Sequence, residues 1–447
     1  MKLQSIALLL ASAVALSDAS VVRHNVRRRL AQAETADIVV ELRSSVSHRH
    51  LLESVDALDF PSRKEKIEFV VDSLQTAAAS SQREIDALLA QEAASTQPLF
   101  ASQYTSWSHV GTSVAADSLH PEGSIEWGVQ RVEAPQTWVS GITGEGVVVG
   151  DLDTGARATH EALRDSKRAD YYWYDPVNKT AEPYDPHGHG THTLGTIVGS
   201  KGIGVAPGAK WMACLGCPNG GCPESSVVAC GEWFICPTNT QGENRDCSKA
   251  PHVINNSWSG NAASKTYVPM IAAWHAAGII PIFAVGNAGP YCNTARSPGN
   301  FANVIAVGST TVNNTLSRFS CKGPNGFDTT ILKPDISAPG QEVVSASNSS
   351  DTEYRVLSGT SMATPHVTGV VALLLSQPNG AKTYDEVRDV LTSTTLRGDV
   401  LQPNLLPTPI GWYTGVCGNT TDDDWPNNQY GYGLVNALTA TQANAKL

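Results

Sequence analysis

Apolar residues along the chain fall into short uninterrupted runs separated by stretches of helical character. Val147–Leu152, Val253–Asn256, Ile279–Val285 and Val304–Val307 read as strands. Their lack of strict alternation fits strands covered on both faces. Helical stretches lie around Thr191, Ser225, Val268 and Ser361, followed by a surface helix over Tyr384–Thr392. Strands alternating with helices predict an α/β domain. Residues 401–427 read as a Pro-, Gly- and Asp-rich loop.

The first 120 residues differ in pattern. Lys2, the apolar run Ile6–Leu16 and a small-residue exit at Ser17, Asp18 and Ala19 predict a secretory signal peptide over residues 1–19. Its core is too short to cross a bilayer, and no later stretch reaches about 18 apolar residues. An exported, soluble protein is expected. Residues 20–120 are rich in Ala, Ser and Glu and lack Cys. Ile38–Leu42 suggests a strand there. Ile67, Val70, Val71 and Leu74, then Ile85, Leu88 and Leu89, fall on the spacing of a long amphipathic helix. Taken alone this is a helical interaction arm. Arg27, Arg28 and Arg29 read either as a processing site or as a solvated charge run.

Candidate chemistry concentrates after residue 121. SGTSMATPH, from Ser358 to His366, places Ser361 after the permissive Gly359 and at the start of an apolar helix running through Val367, Val370, Val371 and Leu373. Unpaired N–H groups and the positive end of the helix dipole would face any negative charge developing there. Pro365 is read as a first-turn residue whose missing N–H costs little. Without partners, this is an ordinary helix cap. The partners are present: the apolar VVVGDLDTG run delivers Asp153 just before a Gly turn, and HGHGTHTLGTIVG presents His189 at the entry to a helix. Asp, His and Ser thus occur in one of the chain orders known for a nucleophile, base and orienting-acid triad.

These motifs, together with GVAPGAKW (204–211), VINNSW (253–258), AVGNAG (284–289) and NNQYGYGLVNA (427–437), resemble the subtilisin-like serine proteases, and within them the bacillopeptidase F type. The resemblance implies a doubly wound, mainly parallel central sheet over residues 121–447, preceded by a small α+β propeptide at 20–120. It implies a secreted serine endopeptidase made as a zymogen, with Ser361 as nucleophile, His189 as base, Asp153 as the orienting carboxylate and Asn287 as an oxyanion donor. Ser257, Trp258 and Ser259 match one wall of the substrate pocket; Ala284, Val285 and Gly286 match the other. Ser259 replaces a usual Gly, so a preference for large aromatic side chains is not assumed. No acidic residue stands in either wall, against strict selection of Lys or Arg. The same resemblance implies protein and peptide substrates, the chain's own propeptide as intramolecular inhibitor, and a monomer. It implies no cofactor for the chemistry and structural calcium at sites no motif identifies. Two other readings keep the fold: a catalytically silent relative acting as a binding protein, and a ligase passing the acyl group to an amine.

Three further features adjust this picture. The HxHxxH run around His187, His189 and His192 lacks an acidic or Cys ligand to complete a metal site. His187 is read as a rim residue, His192 as a packing residue and His160 as a satisfied surface histidine. Nine cysteines in an exported chain imply disulfides with at least one thiol left over. Cys214, Cys217, Cys222, Cys230, Cys236 and Cys247 crowd together, favouring local disulfides over a zinc site; Cys292, Cys321 and Cys417 are scattered. Asn178, Asn313, Asn348 and Asn419 begin glycosylation sequons, whereas Asn255 lies in a buried strand and is discounted. The net charge of −11 argues against nucleic-acid binding, and no membrane partner is expected.

Overall fold

The structure is a computed structural model describing residues 6–12, 38–43, 55, 58, 60–76, 123–379, 382–397, 416–421 and 423–445. A seven-stranded sheet runs through the main body. Its strands, in chain order, are β1 (Val148–Asp153), β2 (Trp173–Tyr174), β3 (Lys210–Leu215), β4 (Val253–Asn256), β5 (Ile280–Ala284), β6 (Ile305–Thr310) and β7 (Ile336–Pro339). The spatial order is β2-β3-β1-β4-β5-β6-β7, and every neighbouring pair is parallel.

Each strand serves two cores because successive side chains point to opposite faces. Val253 and Ile282 join a core with α3 (His189–Val198), α6 (Thr360–Ser376) and α8 (Ala437–Asn444). Ile254 and Phe283 instead join a core with α4 (Glu224–Ile235) and α5 (Val268–Ala276). Helices therefore cover both faces, which is the doubly wound arrangement expected. It also explains the apolar runs: a strand buried on both sides has no face to leave polar. α1 (Trp127–Arg131), α2 (Ala134–Val139) and α7 (Tyr384–Ser393) lie around this body. Val343–Ala346 (β8) and Tyr354–Leu357 (β9) form a separate antiparallel hairpin against α3.

Outside the main body, Ile6–Ser12 pairs in parallel with Ile38–Arg43. Residues 63–76 form a helix whose Ile67 and Val71 enter the α4–α5 core. Arg63 anchors it by donating to the carbonyls of Ala250 and Pro251 at 3.1 and 2.5 Å. The expected continuation through Ile85, Leu88 and Leu89 lies outside the described residues, as does most of the 401–427 loop. No helix among the described residues is long and apolar enough to cross a membrane.

Six cysteines of the cluster close into Cys214–Cys230, Cys217–Cys222 and Cys236–Cys247. Cys292 bonds Cys417, and Cys321 is a buried free thiol. Cys214–Cys230 joins β3 to α4, while the Cys217–Cys222 loop begins where the Cys217 N–H donates to the Asp153 carbonyl at 3.0 Å.

Candidate active site

Strand order reverses around β1, with β3 on one side and β4 on the other, and open parallel sheets gather functional groups at the carboxyl ends beside such a point. Asp153 is the last residue of β1. Ser257 directly follows β4, and Asn287 stands just beyond β5. His189 opens α3 and Ser361 lies in the first turn of α6; the two helices pack together.

Asp153 Oδ1 accepts from His189 Nδ1 at 2.6 Å and from the Thr154 N–H at 2.7 Å. Both side chains are buried. That contact puts the proton of the neutral imidazole on Nδ1 and leaves Nε2 as its basic atom. Burial pushes His189 down, keeping the imidazole uncharged and able to accept a proton. Burial pushes Asp153 up, opposed chiefly by the Thr154 N–H.

Asn287 is held by the residue before the serine. Its Oδ1 accepts from Thr360 N–H at 2.9 Å and from Thr360 Oγ1 at 2.8 Å. With the oxygen fixed, the amide nitrogen is turned elsewhere. A Cβ placed on Gly359 would lie 3.5 Å from Ser361 N and 3.6 Å from Asn287 Nδ2, so two donors flank one small space.

Ser361 is fixed by a reciprocal pair of bonds. Its hydroxyl donates to the Ser257 carbonyl at 2.8 Å, and Ser257 Oγ donates to the Ser361 carbonyl at 2.9 Å. Pro365 makes the second bond available. It stands four residues after Ser361, inside α6 and beyond its first turn, which corrects the first-turn reading. Having no N–H, it cannot bond the Ser361 carbonyl, and the Ser257 hydroxyl takes that place.

A buried polar chain continues away from the serine. Asn255 Nδ2 donates to Ser257 Oγ at 3.0 Å and to Asp151 Oδ1 at 2.8 Å, while Thr368 Oγ1 donates to Asn255 Oδ1 at 3.0 Å. Thr193, on α3, donates to Asp151 Oδ2 at 3.2 Å. Burial and the neighbouring Asp153 charge push Asp151 well above the ordinary carboxylate range. Neither Asp151 nor Thr360 was singled out by motif. The available signal was Asp151 itself, a charged residue inside an apolar run whose period places it on the same strand face as Asp153. Asn255 is fully buried, in agreement with its dismissal as a glycan site.

Other expected residues divide between the site and the core. Ser257 is at the centre of the network, but the Trp258 indole packs edge-on against Tyr267 and Phe283. Only the Trp258 backbone is available to line a pocket. Ser259 is half-buried, and Ala284–Gly286 run from the end of β5 to Asn287. His187 is exposed with its ring centroid 6.2 Å from that of His189. His192 is buried and directs Nε2 at the carbonyls of Val343 and Arg355. His160 is not a surface residue: it is fully buried, with Nε2 directed at the Glu353 carbonyl and Nδ1 accepting from Ala162 N–H. Its neighbours satisfy both nitrogens, which removes the cost of burying it.

Among the described residues, no group of three or more His, Cys, Asp or Glu side chains is arranged to hold a metal ion. The loop carboxylates Asp175 and Asp185 accept from surrounding N–H and O–H groups on both oxygens. These donor shells do not fit calcium, and no step is assigned to it.

Comparison with known proteins agrees with this architecture. A model of the subtilase family matches residues 144–433. Bacillopeptidase F of Bacillus subtilis is 38% identical over 352 residues, covering 74% of this chain but 23% of that relative's length. M-protease of Shouchella clausii is 34% identical over 71% of this chain and 70% of its own. Subtilisin Savinase of Lederbergia lenta is 33% identical over 71% of this chain and 99% of its own. The parallel sheet, the Asp153–His189 contact and the matched span lead to one assignment: the chain belongs to the subtilase family of serine peptidases.

Proposed function

We propose that the protein is a secreted serine endopeptidase that works through an acyl-enzyme. The observation carrying this reading is the buried Asp153–His189 contact of 2.6 Å, with His189 on a helix packed against the one that carries Ser361, whose N–H and the Asn287 amide flank one space. Ser361 Oγ leaves its resting bond to the Ser257 carbonyl and attacks the substrate carbonyl carbon, giving its proton to His189 Nε2. Asp153 orients the ring and stabilises the imidazolium. The substrate oxygen, now negative, takes hydrogen bonds from Ser361 N–H and Asn287 Nδ2. Collapse breaks the peptide C–N bond as His189 returns the proton to the leaving amine. Water, deprotonated by His189, then releases the acid and restores Ser361.

The chain order supports a zymogen with a signal peptide at 1–19, a propeptide at 20–120 and a peptidase domain at 121–447. The docking of residues 63–76 on the α4–α5 face is compatible with a propeptide that assists folding. Export to the extracellular space is supported by the signal pattern and by the disulfides. Asn313 and Asn419 are exposed and suited to glycans; Asn178 is exposed but its amide nitrogen donates to Tyr184 Oη at 2.7 Å, and that of Asn348 donates to the Asp185 carbonyl at 3.0 Å.

Comparing wild type with Ser361→Ala tests the proposal. Wild type should label with a fluorophosphonate and mature to a shorter chain, while the alanine variant should do neither. Processing and peptide cleavage by Ser361→Ala would overturn it, as would failure of folded wild type to label or cleave.

A further inference from the structure

The two segments matched to the pocket walls are joined at one end by the same short stretch. Gly260 N–H donates to the Ser297 carbonyl, and the next residue back, Arg296, donates its N–H to the Val285 carbonyl at 3.0 Å. Gly299 packs against Ala284. Residues 296–299 therefore close the slot between 257–260 and 284–286.

The Arg296 side chain lies within that closure. A Cβ built on Gly286 would sit 2.6 Å from Arg296 Cγ and 3.0 Å from Cys321 Sγ, so the arginine stem fills the space that Gly286 leaves open. The Arg296 side chain hydrogen-bonds the Cys321 sulfur; burial pushes that thiol up, opposed by the Ala288 N–H, by Thr294 and by the Arg296 charge and hydrogen bond. Arg296 is half-buried.

Its charge has no oxygen partner among the described residues. Arg157, Arg168 and Arg388 each donate to a carboxylate or carbonyl. No such bond or ion pair is found for the Arg296 guanidinium, and no Asp or Glu occurs in 257–266 or 284–300. A guanidinium is always charged and carries five donors in a fork that matches a carboxylate. Half-buried, and with only the weakly accepting Cys321 sulfur found as a partner among the described residues, the fork keeps further donors for a ligand carboxylate.

We propose that Arg296 is the specificity-determining residue of this pocket and selects substrates with a carboxylate side chain, Glu or Asp, on the acyl side of the scissile bond. This rests on reading the site as a peptidase. Ser259 and the backbone of Trp258 then border the stem of an acidic side chain whose head group meets the guanidinium.

The test uses peptides identical except for Glu, Asp, Gln, Leu or Lys at that position. Glu and Gln share a shape, so their ratio isolates the charge. Wild type should cleave the Glu peptide ~100-fold faster in kcat/KM than the Gln peptide, because a charge-assisted bidentate pair is roughly twice as strong as the neutral bonds an amide can make. Arg296→Gln should bring the ratio close to one, and Arg296→Glu should turn preference toward Lys, with fluorophosphonate labelling confirming that each variant is folded. A wild-type Glu-to-Gln ratio near one overturns the proposal without any variant. So does a ratio unchanged in labelled Arg296→Gln. Cleavage of the Leu peptide without acidic preference would remove the selectivity and leave the peptidase reading standing, whereas no cleavage of any peptide would remove both.

Discussion

Asp151 shows how one side chain behind a site can affect its geometry. Its two oxygens take donors from Asn255 and Thr193, and through Asn255 it fixes the hydroxyl of Ser257 that holds the Ser361 backbone. Because burial favours the protonated acid, an amide of the same shape should substitute for it. Asp151→Asn is expected to retain kcat/KM within about threefold. Asp151→Ala leaves a buried N–H of Asn255 without its acceptor, while the Thr193 hydroxyl keeps the Gly190 carbonyl, and should cost about 1–3 kcal/mol. Denaturant unfolding in the Ser361→Ala background avoids self-digestion and measures that cost. An asparagine variant as damaged as the alanine variant would show that the ionised carboxylate is needed.

α6 combines two tasks that conflict. Its C-terminal three turns are core helix, with Val367, Val370, Val371 and Leu374 fully buried, and these favour uninterrupted backbone bonds. Its start must offer Ser361 to a substrate and its carbonyl to Ser257. Pro365 separates the two by removing the competing N–H. Pro365→Ala should restore that N–H as a donor to the Ser361 carbonyl. The expected result is a helix more stable by about 3 kcal/mol, with kcat lowered ~10-fold as the Ser257 bond weakens, on the 1.36 kcal/mol per decade relation. Thermal unfolding and steady-state kinetics measure the two effects separately. Unchanged kcat would mean that the Ser257 hydroxyl does not position the nucleophile. The disulfide from β3 to α4 acts on the opposite side of β1, where Cys217 and Gly216 donate to the Asp153 carbonyl.

Across the whole molecule, buried histidines couple stability to pH. His252 Nδ1 accepts from Val148 N–H at 3.0 Å at the beginning of β1, which requires the neutral ring, and burial pushes its pKa down to about 4. A histidine lowered in the folded state stabilises fully above its unfolded value of ~6.5 and loses that contribution as pH falls toward the folded value. Relative to wild type, His252→Gln should therefore gain about 1.4 kcal/mol per pH unit between 6.5 and 4. Urea unfolding of both proteins in the Ser361→Ala background tests this. Parallel stability curves through that window would exclude His252 as a contributor. The comparison between variants matters because Asp151, raised in the folded state, contributes with the opposite sign.

The residues proposed for the site were legible in the sequence because the proposed chemistry demands them beside particular local backbones. A serine in a helix's first turn, a histidine at another helix entry and an acid at a strand end each announce themselves within a few residues. Strand and helix alternation was legible for the same reason, since burial on both faces writes itself into local composition. β3 and β7 were not: KWMACL and ISAP are short and mixed, and their pairing with β1 and β6 is what makes them strands. Cys292 meeting Cys417, His160 turning into the core, Trp258 pointing away from the pocket and Arg296 lying against Gly286 were likewise decided by tertiary structure. Each depends on surroundings assembled from distant segments, and periodicity carries information only about the segment in which it is read. The sequence by itself determined which groups are available for the proposed chemistry; the fold decided what holds them and what they pack against, because those partners come from distant parts of the chain.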